Sequence, residues 1–195
     1  MSSDRYLYMQ AFYKQDKEEV FNEQACINRA KEDIKHFKPL YEKYYEQIFL
    51  FIYSRVGDKE LARDITADVF LKCILKLSTY EYQHLLFSSW LYRIAKNTLI
   101  DIFRKNKKIR VVNINSLKLN DLIDEIEIDH REKYRLKLMQ LVAGLDEHDL
   151  LLIEMRFFEE KSFKEIAEII SGTEAGVKMK LYRLLEKMKD QLING

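Results

Sequence analysis

The stretch WLYRIAKNTLIDIFRKNKK, residues 90–108, starts as an amphipathic helix that carries the chain's only tryptophan and ends in a burst of positive charge. Arg93, Lys96, Arg104, Lys105, Lys107, Lys108 and Arg110 stand there against the lone anion Asp101. Just before it, Tyr80, Tyr82, Phe87 and then Trp90 offer flat faces. Aromatic faces beside a cationic helix suit a nucleic-acid strand whose bases are unpaired. Each stacked base contributes about 1–3 kcal/mol, and the cations hold the backbone. A closed duplex hides those base faces, so opened or single-stranded DNA is the better match. The same residues also fit plain structure, with Phe87 and Trp90 as core and the lysines as a solvated helix end, and residue types leave both open.

A second chemistry sits near the C-terminus. SFKEIAEII begins with a capping box, Ser162 with Glu165, and stops at SGT, where Thr173 is placed to cap a final helix. A short helix, a tight turn containing Gly172 and a second helix with exposed cations is the helix-turn-helix arrangement. Its second helix enters the major groove, where Glu174, Ala175, Lys178, Met179 and Arg183 are candidates for base edges and phosphates. Capped helix pairs with a glycine turn also occur in proteins that bind no DNA.

Catalysis finds no support. The sequence has no paired carboxylates, Cys/His dyad, phosphate-cradling glycine loop or metal cluster, so neither an enzyme nor a cofactor or metal is expected. Cys26 and Cys73 lack a close partner and read as reduced structural thiols. The 195 residues carry 33 Lys+Arg against 32 Asp+Glu, a net charge of +1, so any nucleic-acid role must rest on local charge. The N-terminal residues lack a signal peptide's apolar segment, and the longest apolar run, QIFLFIY, falls far short of the ~20 residues of a membrane span. A cytoplasmic chain without membrane insertion is the expectation.

Five glycines and one proline leave few turns for a β-rich fold, and an all-helical chain is expected. Leu40, Tyr44, Ile48 and Ile52 mark one helix after Pro39. VGD ends it, and Asp58 caps the next, with a stripe of Leu61, Ile65, Val69, Cys73 and Leu77. In the cationic helix Leu91, Ile94, Ala95, Thr98 and Ile102 turn inward. The stretch 109–133 shows no sustained helical period and gathers its anions between Asn120 and Glu132, which reads as a linker of poorly ordered or partner-dependent structure. Two small helical domains therefore flank an acidic linker: an N-terminal extension over 1–34, a first domain over 35–110, the linker over 111–132 and a helix-turn-helix domain over 133–195.

ARDITADVFLKCI, then FSSWLYRIAKNTLIDIFRKNKK, then GLDEHDLLLIEMRFFEEKSFKEIAEIISGTEAGVKMKLYRLLEKMKDQL, in that order, resemble a bacterial RNA polymerase sigma factor of the extracytoplasmic-function group of the sigma-70 family. The likeness runs from about Lys35 to Leu192. It implies a region 2 bundle and a region 4 helix-turn-helix. It also implies a non-enzymatic factor that joins core RNA polymerase, recognises minus-thirty-five and minus-ten promoter elements and promotes DNA opening. Arg63, Asp64, Asp68 and Lys72 would then meet the polymerase. The loop before Trp90, with Tyr80, Tyr82 and Phe87, would hold a flipped base, while Arg93, Lys96, Asn97, Asp101 and Arg104 grip the adjacent minus-ten DNA. Thr173, Glu174, Lys178, Met179, Lys180 and Arg183 would serve the minus-thirty-five element. Promoter DNA and core polymerase are the implied partners, together with the anti-sigma factors that commonly cover these surfaces in the family.

Some positions depart from the family pattern. Ala67 stands where a polar Gln is usual, and Gly172, Gly176 and Met179 replace the usual Ile, Thr and Ser, so the base preference does not carry over. Two other classes fit the residues: a stand-alone helix-turn-helix regulator of duplex operators, and a helical adaptor that docks on polymerase without touching DNA.

Overall fold

Side-chain caps start most of the helices, and each helix then buries one face. The computed structural model describes residues 22–81, 85–105, 119–126 and 131–194, and no strand occurs among them. The all-helical expectation holds. The chain divides into two compact units, Met1–Lys43 and Tyr44–Gly195.

Of the first unit, residues 1–21 and the reading placed on them lie outside the described residues. Helix α1 (Glu23–Glu32) starts at Asn22, whose side chain accepts the Ala25 N–H at 3.0 Å. A 3-10 turn over Ile34–Phe37 leads into α2 (Lys38–Val56).

In the second unit, α2 buries Tyr44, Ile48 and Ile52, in line with the helical spacing of the sequence. Gly57, at φ 70°, ends it in a conformation that costs glycine little. Asp58 then accepts the Leu61 N–H at 2.8 Å and opens α3 (Lys59–Lys76), whose stripe Ile65, Val69 and Cys73 is buried. Helix α4 (Phe87–Lys105) buries Leu91, Ile94, Ala95 and Thr98 as expected, and also Tyr92, Leu99 and Phe103. Ile102 is a correction: it stays half-exposed while its neighbour Phe103 takes the inward place.

Residues 119–126, within the stretch that lacks a sustained helical period and reads as a linker, form helix α5 (Leu119–Ile126). Leu122, Ile123 and Ile126 are buried, and three apolar side chains in two turns were too few to show as a period. Helix α6 (Arg131–Ala143) follows and ends at Gly144. Asp146 caps α7 (Glu147–Ile153) by accepting the N–H groups of His148 and Asp149, both at 2.9 Å. The chain continues as a π turn over Glu154–Phe158, where the Glu159 N–H donates to the Glu154 carbonyl five residues back at 2.8 Å.

The predicted capping box is present at the start of α8 (Phe163–Ile170), with Ser162 and Glu165 bonded reciprocally. Ser171, at φ 61°, closes α8, and the Gly172 N–H reaches back to the Ala167 carbonyl at 2.8 Å. This is a Schellman ending with serine rather than glycine in the left-handed position. Helix α9 (Glu174–Asn194) buries Val177, Leu181, Leu184, Leu185 and Met188.

The two helical halves of this unit also pack on each other. Helix α4 lies against α8. The Arg55 side chain, 1% exposed, ion-pairs with both Glu147 and Glu154 of the C-terminal half.

Candidate nucleic-acid interface

Helix α3 carries the first group of candidate residues on its outer side. Arg63 and Asp64 are exposed, and Arg63 pairs with Glu60. Asp68 and Lys72 are half-exposed and pair at 2.7 Å. Lys72 also donates to Thr98 of α4 at 3.1 Å, so one of the four residues is anchored to the neighbouring helix. Four charged side chains along a solvent-facing helix make a patterned docking surface of mixed sign, worth more in orientation than in affinity.

An aromatic cluster controls the loop between α3 and α4. Tyr80 and Phe87 are 2% and 0% exposed and cross edge to face at 5.4 Å. Tyr44 packs on Phe87 at 5.5 Å, and Trp90 leans on both, 4.9 Å from Tyr80 and 5.7 Å from Phe87. The Tyr80 hydroxyl donates to the Leu85 carbonyl at 2.6 Å and ties the loop's two ends together. Tyr80 and Phe87 are thus core, and Trp90 keeps a partly open face against a crevice. Tyr82 lies outside the described residues.

Along α4, the positions 93, 97, 101 and 104 follow helical spacing, so Arg93, Asn97, Asp101 and Arg104 form one row that continues from Trp90. Asn97, Asp101 and Arg104 are exposed. Arg104 donates to Asp101 at 3.1 Å, which fixes the far end of the row. Lys96 sits half-buried beside it; burial, with the cation of Arg93 nearby, lowers its ammonium below the usual lysine range. Such a lysine sheds its proton more readily than a surface one and gains most from a phosphate partner.

The near end of this row is not free. An Nη of Arg93 donates to the main-chain oxygen of Glu168 in α8. The next residue, Tyr92, donates its phenol to Glu159 at 2.6 Å, and Lys161 stands over its ring at 4.6 Å. Burial and the Glu159 carboxylate together push the Tyr92 phenol above its ordinary range. Between the two halves runs a crevice of about 590 Å³, lined on one side by Tyr80, Trp90 and Arg93 and on the other by Lys164, Glu168 and Glu174. The Nε of Arg93 and one carboxylate oxygen of Glu168 are buried there without a hydrogen-bond partner.

On α9, Thr173 accepts the Gly176 N–H at 3.2 Å and caps the helix. Glu174, Lys178, Met179 and Arg183 are exposed, with Lys178 6.0 Å over the Phe163 ring. Lys180 is exposed as well but turned toward α7, where it pairs with Asp149 at 3.1 Å. Five of the six upstream candidates therefore share the outward side or the capped start of α9, and Lys180 stands apart from them.

Arg55, Glu147, Glu154, Glu159 and Lys161 join the halves and were not anticipated. Their pairings span 67 to 99 residues for the hydrogen bonds, beyond the reach of any local spacing rule. Among the described residues no group of three or more His, Cys, Asp or Glu is placed to hold a metal ion, and no helix is long and apolar enough to cross a membrane.

Comparison with known proteins matches both halves to family models, Sigma-70 region 2 over residues 40–109 and Sigma-70, region 4 over residues 135–188. RNA polymerase sigma factor SigV of Bacillus subtilis is 31% identical over 150 residues, covering 75% of this chain and 85% of that protein. RNA polymerase sigma factor YlaC of the same organism is 29% identical over 160 residues, covering 78% and 90%. ECF RNA polymerase sigma factor BldN of Streptomyces coelicolor is 28% identical over 154 residues, covering 78% of this chain and 58% of that protein, so the chain spans little more than half of that relative's length.

Proposed function

This chain belongs to the extracytoplasmic-function group of the sigma-70 family of RNA polymerase sigma factors, and we propose that three of its surfaces divide the work of promoter recognition. A sigma factor directs core RNA polymerase to promoters and initiates transcription there. The outer side of α3, with Arg63, Asp64, Asp68 and Lys72, docks on the polymerase. The row from Trp90 through Arg93, Asn97, Asp101 and Arg104 lines opened minus-ten DNA, with Lys96 beside it. Thr173, Glu174, Lys178, Met179 and Arg183 of α9 serve the minus-thirty-five element, and Lys180 braces that helix against α7. A stand-alone operator-binding regulator leaves the region 2 half without a purpose.

The observation that carries the minus-ten assignment is the continuity of the α4 row with the part-open Trp90 face. Capture of an unstacked base there offsets an unstacking cost of a few kcal/mol, while the row's cations hold the strand. The aromatic cluster of Tyr80 and Phe87 acts as backing, since a buried ring cannot itself take a base. Opening then follows from differential binding and requires no chemical step by this chain.

Core polymerase also changes the relation between the halves. Elements at minus ten and minus thirty-five lie about 25 base pairs apart, about 85 Å at 3.4 Å per step. Helices α4 and α8 are in contact. Both elements are read together only after the contact opens, so the free chain is promoter-silent and polymerase binding selects the open form. An anti-sigma factor would act on the same surfaces by holding them covered.

The deciding experiment adds the full chain to bacterial core polymerase and maps transcript starts. Promoter-specific initiation with a shared pair of upstream motifs is expected. Absence of both transcription and co-elution with core overturns the assignment.

A further inference from the structure

The outward ridge of α9 is not the uniformly charged surface of a helix that only grips phosphates. With Val177, Leu181, Leu184, Leu185 and Met188 turned inward, the helical repeat brings Ala175, Met179, Tyr182 and Glu186 into one outward row. Met179 is 53% and Tyr182 45% exposed. Lys178 and Arg183 flank the row, both exposed. Ala175, Met179 and Tyr182, the part of the row before Glu186, make a largely apolar strip edged by cations, which matches a DNA major groove with phosphates at its rims and, wherever thymine occurs, a methyl group on its floor.

The chemistry of the strip narrows what it reads. Adenine is recognised by the paired donor and acceptor of Asn or Gln, and EAGVKMKLYRLLE, residues 174–186, contains neither. Ala175 offers no hydrogen-bonding group and Met179 only a weakly accepting thioether. What such side chains do recognise is the 5-methyl group of thymine, by apolar contact.

Close approach is built in at the same place. Ala175 and Gly176 are small, and a Cβ on Gly176 would come within 2.9 Å of the Thr173 hydroxyl that caps the helix. Glycine there keeps the cap intact and the entering turn narrow. Behind the strip, Phe163 braces the row, 6.3 Å from the Tyr182 ring, with Arg156 stacked on it at 4.8 Å.

We infer that Met179, with Ala175 beside it, selects thymine at one or two positions of the upstream promoter element by packing on its 5-methyl group, while Lys178 and Arg183 hold the flanking phosphates. The inference rests on the assignment of α9 to the minus-thirty-five element.

The test uses holoenzyme made from the full chain and bacterial core polymerase. Promoters are first selected from DNA randomised upstream, and each thymine of the selected element is then replaced by deoxyuridine, which removes only the methyl. Loss of one buried methyl-sized contact corresponds to about a fourfold weaker complex. That loss is expected at one or two positions with the wild type and disappears from at least one of them with Met179→Ala, while Met179→Leu keeps it. Equal binding of thymine and deoxyuridine at every position by the wild type overturns the methyl readout, whatever the variants do. If Lys178→Ala with Arg183→Ala binds the selected promoters as tightly as the wild type, the assignment of α9 to the upstream element fails instead.

Discussion

Arg55 of α2 and Glu154 at the head of the π turn form an ion pair with both side chains buried, 1% and 5% exposed, although 99 residues separate them. Glu147 accepts a second Arg55 bond from the N-terminal turn of α7. This arginine is one of the polar links between the region 2 and region 4 halves, beside Tyr92 to Glu159 and Arg93 to Glu168. A buried pair adds little over apolar packing, but removing one partner leaves the other charge uncompensated.

Arg55→Met should therefore destabilise the closed arrangement by about 3–5 kcal/mol in urea unfolding. The double change Arg55→Met with Glu154→Leu should recover most of that loss, since the buried carboxylate goes with its partner and the remaining one, Glu147, is partly exposed. Solution scattering should show a larger radius for the single variant than for the wild type. An unchanged radius would mean that the halves are held together without this pair.

The contact between Arg93 and the Glu168 carbonyl predicts an effect of opposite sign in two assays. Arg93→Ala should lower transcription by holoenzyme, because the minus-ten row loses its near cation. The same change in the free chain should loosen α4 from α8 and raise the susceptibility of α8 to protease. Loss of transcription without any change in proteolysis would place Arg93 on DNA alone.

Trp90 is expected to matter for opening more than for binding open DNA's backbone. Trp90→Ala should cost about 1–3 kcal/mol of open-complex stability on duplex promoters, the range of one base-aromatic stack. On a template already melted at the minus-ten element the deficit should shrink, because the unstacking cost is gone. Permanganate footprinting on the two templates reads the difference. An equal deficit on both would assign Trp90 to holding the helix in place.

Asp146 carries a pH prediction. The N–H groups of Asp149 and His148 hold its carboxyl below the usual value of 3.8, with Lys180 adding to the effect. Its folded value is depressed, so its contribution is complete above about 3.8 and is lost as the pH falls through the lower folded value. Asp146→Ala should cost about 1 kcal/mol at pH 7, a normal N-cap loss. Urea unfolding should show the gap between wild type and variant closing below pH 4.

The two thiols should behave differently toward a thiol reagent. Burial pushes the Cys73 thiol up to about 12, whereas Cys26 is only half-buried. Titration with a chromogenic disulfide should count one reactive thiol in the native protein and two in denaturant. Fast reaction of both in the native state would show that α3 opens locally.

Much of the fold was legible because its signals are local. The Asp58 cap, the Ser162 and Glu165 box and the apolar stripe of α3 each involve residues within a few positions of one another, and each is found where spacing put it. The row of Arg93, Asn97 and Arg104 is legible for the same reason. Ile102 and Phe103 show the limit: either fits a helix's inner face, and the choice belongs to the helices packed around it. Helix α5 shows another limit, since eight residues with three buried side chains hardly rise above the background of an acidic segment.

Sequence by itself determined that the chain is helical, where its caps and cationic rows lie, and which family motifs it carries. Helix periodicity and capping depend on neighbours three or four residues away, so they are written along the chain. Tertiary structure decided which aromatics are core and which keep an open face, that Lys180 turns to Asp149, and that Arg55, Tyr92 and Arg93 reach across to the other half. Burial and long-range pairing arise only when distant segments share one volume, and no spacing rule encodes which segments those will be.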